Sequence, residues 1–267
     1  MSEVALPSSI IRALQALEAW LDHERVPNAI IGAVGVSLVA QARTTQDIDG
    51  VVWVDSDRWE ALMESARQNR FSLRVSDPMA FARISRMLLL EHESSSVKID
   101  LSFGALPFER EMIDRATTVV VGDLSVRVAT PEDLIITKAV ANRPKDLADV
   151  ELILNIRQTV DLSRIRYWVR EFANVLEMPE IEDNLYRVLV QTGHLPNPSS
   201  VPSYKPSVKP TRTIDERFDM KVAHPGAQSV GPSGDPFLGH EIFSAADFAS
   251  KPGSKRDPKK RRKKKKK

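Results

Sequence analysis

Apolar positions near the start of the chain recur every three to four residues: Ile10, Ile11, Leu14, Leu17 and Leu21 fall on one side of a helix. The period then shortens. Runs rich in Val, Ile and Leu, bounded by polar or turn residues, predict strands over 28–34, 47–54, 84–90, 97–103, 116–121 and 124–129, the last two joined by a hairpin turn at Gly122-Asp123. In the fourth of these, Val97, Ile99, Leu101 and Phe103 alternate strictly with Lys98, Asp100 and Ser102. One face of that strand is therefore buried, and the three polar side chains share the other. After residue 129 the helical period returns, carried by Leu152, Ile153, Ile156, Ile165, Trp168, Val169, Phe172, Leu185 and Val188. The pattern predicts an α/β (α+β) core over 1–129, a mixed sheet with helices, and a helical accessory unit over 130–195.

From Pro196 the pattern dissolves. Ten of the 17 prolines fall between Pro196 and Pro258, interleaved with Ser, Gly and Lys, so 196–267 is expected to be a disordered tail. An apolar island of Phe237, Leu238, Ile242, Phe243 and Phe248 interrupts it. Residues 255–267 hold 11 basic side chains against Asp257, a local charge of +10. Positions 1–254 then carry 27 basic and 35 acidic residues, a net −8. The overall +2 thus hides a strong asymmetry, and the polybasic end suits phosphate backbones.

Composition removes several classes. The chain has no cysteine, which excludes disulfides and thiolate-held metal. It has no apolar run near the length of a membrane span and no basic-then-apolar leader, so no membrane role is expected and the cytoplasm is the expected compartment.

Candidate chemistry is concentrated in Arg43-Thr44-Thr45-Gln46-Asp47-Ile48-Asp49 and in Ile99-Asp100. Asp47 and Asp49, at i and i+2 on a strand, point to one face. Like charges at the head of a Val-rich buried strand are costly unless a cation lies between them, and hard ions such as Mg²⁺ or Mn²⁺ take oxygen ligands of this kind. Asp100, on the polar face of another strand, can join them. Three such carboxylates can hold two divalent ions for in-line displacement at phosphorus. Arg43 has the forked donors of a phosphate clamp. Lys138 emerges from a largely apolar helix that Thr130 can cap and Pro131 can start, so it requires an anionic partner.

Ile30-Ile31-Gly32-Ala33, the Asp47-Ile48-Asp49 motif, Ile99-Asp100, and the later blocks Thr130-Pro131-Glu132-Asp133-Leu134 and Arg143-Pro144-Lys145-Asp146-Leu147-Ala148-Asp149 together resemble the polymerase-β-type nucleotidyltransferase superfamily. Within it the chain is most similar to the AbiEii and MenT-like toxin group, over roughly residues 25–155. The resemblance implies a nucleotidyltransferase-like fold and transfer of a nucleoside monophosphate from an NTP to an acceptor hydroxyl. It implies metal ligation by Asp47, Asp49 and Asp100, and nucleotide contacts from Gly32, Arg43 and Lys138, with Gly35 and Ser37 a little further on able to supply the close approach and the hydroxyl instead of Gly32-Ala33. Asp146 would orient or activate Lys138, with Asp149 able to substitute. RNA, chiefly tRNA, is the expected acceptor, and an antitoxin the expected partner. Transfer to a protein or a small molecule such as an aminoglycoside is the second reading, and a degenerate nucleotide- or RNA-binding module the third. The third arises because Gly32-Ala33 stands where the superfamily usually has Gly-Gly or Gly-Ser.

Overall fold

The computed structural model describes residues 6–40 and 45–194. The chain opens with α1 (Ser8–His23), which buries Ile10, Leu14, Leu17 and Leu21 as its spacing requires. Then come β1 (Asn28–Ile31), α2 (Gly32–Val39), β2 (Asp47–Val52), a 3-10 turn at Ser56–Arg58, α3 (Trp59–Gln68) and β3 (Phe71–Leu73). After these follow α4 (Pro78–Ser85), β4 (Met87–His92), β5 (Val97–Phe103), α5 (Pro107–Arg115), β6 (Thr117–Val121) and β7 (Leu124–Val128). The strands form one mixed sheet in the order β3-β4-β5-β2-β1-β7-β6. β2 lies parallel to β5 and β1 parallel to β7, while the other neighbours are antiparallel. This is the mixed α/β core that the strand periodicity predicts.

Three differences from the predicted strands have physical causes. The run 28–34 is cut at Gly32, whose φ of +60° turns the chain out of β1 and into α2. Every residue of α2 is buried, so it has no polar face from which a helical period could be read. The strand predicted at 84–90 begins instead at Met87. Asp77 caps α4 by accepting from the Ala80 amide, Pro78 occupies its first position, and the helix ends only at Arg86 in left-handed conformation. The three-residue β3 is too short to show any alternation.

Four further helices follow the sheet: α6 (Pro131–Ala141), α7 (Pro144–Ile156), α8 (Leu162–Leu176) and α9 (Glu180–Gln191). Thr130 caps α6, its hydroxyl accepting from the Asp133 amide. Arg164 of α8 donates from Nε to Asp133 (2.8 Å) and from Nη1 to Glu111 of α5 (2.6 Å). All three side chains are 0 % exposed, so one sealed ionic cluster ties the helical segment to the core. No helix among the described residues is long and apolar enough to cross a membrane. The predicted tail and the polybasic run lie outside the described residues.

Candidate active site

Strand register sets a row of residues across the sheet. Ile31 of β1 pairs with Asp49 of β2, Asp49 with Asp100 of β5, and Asp100 with Leu89 of β4. The Arg74 amide, just past β3, donates to the Leu89 carbonyl at 3.0 Å and continues the row. Residues paired across a sheet point to the same face. Asp49 and Asp100 therefore stand side by side, both buried, on two parallel strands. The same face carries Asp47 two residues earlier, where it is exposed.

Gly32 is fitted to this row. A Cβ at Gly32 would lie 2.0 Å from Oδ2 of Asp49, so the carboxylate occupies the space that any other side chain would fill. Gly32 is also the first residue of α2, and the first-turn amides of a helix are natural partners for anions. Gly35 serves a different contact: a Cβ there would meet Leu134 at 3.1 Å and the Ile30 carbonyl at 3.3 Å, which lets α6 lie close against α2. Ser37 is fully buried and its hydroxyl donates to the Ala33 carbonyl at 2.9 Å within α2. Arg43 lies outside the described residues.

Asp100 has a partner that its own segment does not reveal. Arg74 forms an ion pair with Oδ1 of Asp100. No group of three or more His, Asp or Glu side chains able to hold a metal is assembled among the described residues. Asp47, Asp49 and Asp100 share a face without forming such a cluster. The donor set still suits a hard divalent cation, because it consists of carboxylate oxygens, two of them at one level on adjacent strands.

Lys138 sits one turn beyond Leu134 on α6 and is 2 % exposed. Its ammonium lies 3.3 Å from Asp146 and 3.1 Å from Asp149, both buried on α7. Arg143, at the head of α7, grips Asp146 through two donors, with Nη2 to Oδ1 at 3.1 Å. The helix–loop–helix of α6 and α7 thus places a lysine and an arginine around two aspartates. A burial this complete is tolerated because each charge faces an opposite one.

The sequence of residues 15–186, more than half of the chain, matches the family described as nucleotidyl transferase AbiEii toxin, type IV toxin–antitoxin system. The chain belongs to the AbiEii nucleotidyltransferase toxin family. No curated protein sequence is significantly similar to this AbiEii chain. Among solved structures it is similar to the antibiotic-resistance factor ANT(2'')-Ia, with 12 % identity, TM-score 0.46, and coverage of 71 % of this chain and 99 % of that one. The lincosamide antibiotic adenylyltransferase LnuA, bound to lincomycin, gives 13 % identity, TM-score 0.41, and coverage of 57 % and 98 %. A Thermotoga maritima CCA-adding enzyme complexed with tRNA gives 11 % identity, TM-score 0.29, and coverage of 68 % and 53 %.

A cavity of about 380 Å³ opens at the other end of β1, lined by Asp22, Arg25, Asn28, Arg110 and Arg127 among others. Asn28 pairs with Val52, at the far end of β2 from Asp47, so this cavity is not part of the aspartate row. On α1, burial pushes the carboxyl of Glu18 up to about 7, against a hydrogen bond from the Arg127 backbone that favours ionisation. Sequence reasoning missed Arg74 and the Glu111–Asp133–Arg164 cluster. A lone arginine after three strand residues carries no periodic signal, and Arg164 stands in a helix whose other arginines, Arg166 and Arg170, are not fully buried.

Proposed function

We propose that this protein moves a nucleoside monophosphate from an NTP to a hydroxyl of RNA, tRNA foremost, with release of pyrophosphate, and that it acts as the toxin of a toxin–antitoxin pair. The observation that carries this reading is the placement of Asp49 beside Asp100, with the Asp49 carboxylate seated on the bare Cα of Gly32. Asp47, Asp49 and Asp100 would hold Mg²⁺ or Mn²⁺, which when bound supplies charge neutralisation of the triphosphate and a more acidic acceptor hydroxyl. The first turn of α2 at Gly32, together with Arg43, receives phosphate oxygens. In this scheme Asp100 takes the acceptor proton as that oxygen bonds to the α-phosphorus and the bond to the β-phosphate oxygen breaks. Lys138, oriented by Asp146 and Asp149, offsets charge on the transferring group. The core of 1–129 and the helices of 130–195 act together in this scheme, while 196–267 serves as a tether.

RNA is favoured as acceptor by the +10 charge of residues 255–267, set against −8 over the rest. The cytoplasm, where NTPs and tRNA meet, is the proposed compartment. The test is to incubate the full chain with each α-labelled NTP, Mg²⁺ or Mn²⁺, and a mixture of cell RNA and protein. Label should appear in the tRNA band, and Asp49→Asn should remove it. Label confined to protein or to small molecules would replace RNA with the second acceptor class. An unlabelled mixture with all four NTPs would leave a degenerate binding module.

A further inference from the structure

We propose that Arg74 is a resident counter-cation that competes with the divalent ion for Asp100, so that the site is held closed to metal until the Arg74 guanidinium is displaced. The inference rests on the metal-site reading above and adds a residue from outside every motif of the chain.

The argument begins with reach. β3 and β5 are separated by β4, about 9.6 Å for two strand spacings. An arginine extends roughly 7 Å from its Cα, so from the row position beside Leu89 it can cross β4 and end at the carboxylate of Asp100. The contact found between Arg74 and Oδ1 of Asp100 is the end of that span. Asp100 is 5 % exposed, and a carboxylate so placed is stabilised by an adjacent cation. An oxygen that accepts from a guanidinium presents its lone pairs to Arg74, and the same positive charge repels an approaching metal ion. Both features lower the affinity of Asp100 for a divalent ion.

Location makes the pair reversible. Arg74 follows the three-residue edge strand β3 and is the first of four residues, 74–77, with no regular structure before α4. Its side chain is 20 % exposed, unlike the sealed Arg164, so it can exchange a protein carboxylate for solvent or for another anion. Guanidinium binds phosphate oxygens as well as carboxylate, so an incoming triphosphate is the natural competitor for Arg74. The nucleotide would thus draw the arginine away as its metal takes over the aspartate. Arg74 is a positioning residue, acting through Asp100.

The experiment measures Mn²⁺ alone, by the loss of the free-ion paramagnetic signal, titrated into the full chain as wild type, Arg74→Gln, Arg74→Lys and Asp49→Asn. Melting temperature is recorded without metal. Arg74→Gln should bind Mn²⁺ about tenfold more tightly than wild type, the ratio that 1.4 kcal/mol of lost competition gives. It should also melt lower than wild type without metal, with Mn²⁺ restoring more of the loss. Arg74→Lys, which keeps the charge and loses the fork, should fall between the two, and it decides the matter if Arg74→Gln does not fold. Mn²⁺ affinity in the Arg74 variants equal to or below wild type, with Asp49→Asn abolishing binding, would overturn the competition and leave the metal site standing. Absence of Mn²⁺ binding in every variant, Arg74→Gln included, would remove the metal site and this proposal together.

Discussion

Two sets of charged residues in this molecule use the same residue types in opposite settings. At Glu111–Asp133–Arg164 every side chain is 0 % exposed and the guanidinium spends donors on both carboxylates. At Asp47–Asp49–Asp100–Arg74 the strands end at the rim of the sheet, Asp47 is exposed, and the arginine is reached by solvent. The first cluster cannot exchange partners without opening the core, so its charges report on folding. The second can exchange the partner of Asp100 by rotating one partly exposed side chain, Arg74, as the proposed function requires. Lys138 with Asp146, Asp149 and Arg143 lies between them, as buried as the first cluster but ending at Arg143, whose side chain is 36 % exposed.

The comparison breaks most visibly at Arg164. Arg164→Ala should cost about 3–5 kcal/mol, because it removes the buried guanidinium that bridges the Glu111 and Asp133 carboxylates, leaving Asp133 only the Thr130 hydroxyl and a longer contact to Arg115. Chemical denaturation measures it, and turnover per folded molecule should be unchanged. A stable Arg164→Ala protein with lowered turnover would move that cluster into the active site. Next, Asp47→Asn with Asp49→Asn should reduce turnover by about 10²–10³-fold or more, comparable to losing a preorganised charge-stabilising contact. Wild type is expected to melt higher with Mg²⁺ or Mn²⁺ plus NTP; in the double variant that gain should vanish, while metal-free stability holds or rises as repulsion is relieved.

Lys138 sharpens the contrast. Lys138→Ala should lower single-turnover rate by roughly 10²-fold after correction for the folded fraction, and Lys138→Arg should restore only part of it. A loss of stability with normal turnover would assign Lys138 to the sealed type. A smaller effect is expected at Glu18. Its folded pKa of about 7 lies above the ordinary 4.5, so ionisation costs stability: the cost is absent below pH 4.5, grows as pH rises to 7, and stays constant above. Glu18→Gln should flatten the fall in stability across that window, by about 1–3 kcal/mol. An unaltered profile in Glu18→Gln would place the titration elsewhere. The gentlest change is deletion of 255–267, which should weaken RNA binding and reduce its salt slope between about 50 and 200 mM while sparing chemistry on bound substrate.

What the sequence disclosed follows the same division. Strand β5, with Asp100 on its polar face, was legible because alternation over seven residues sets its two faces apart. The Asp47 and Asp49 strand and the α6 cap were legible because motif and cap chemistry are local. α2 was not, since an apolar run buried on all sides reads equally as strand or helix. Arg74 was not, because its meaning comes from a register across three strands, and no local window contains that register. The reach of Arg164 to Glu111, across 53 positions, was hidden for the same reason.

The parallel pairing of β1 with β7 has a consequence in time. Ile30 faces Val128, and Arg127 donates to the Asn28 carbonyl across 99 positions of sequence. Contacts of such separation form late, and a chain emerging from the ribosome cannot close its sheet until β7 has been made. Gly32 and Asp49 meet early in synthesis, yet Asp100 arrives later and Arg164, which seals the helical segment to the core, later still. A nascent chain therefore lacks the paired aspartates until β5 has been made. Stalled chains ending at residue 120 should bind no nucleotide, and nucleotide binding by such chains would show that β7 is dispensable for assembling the site.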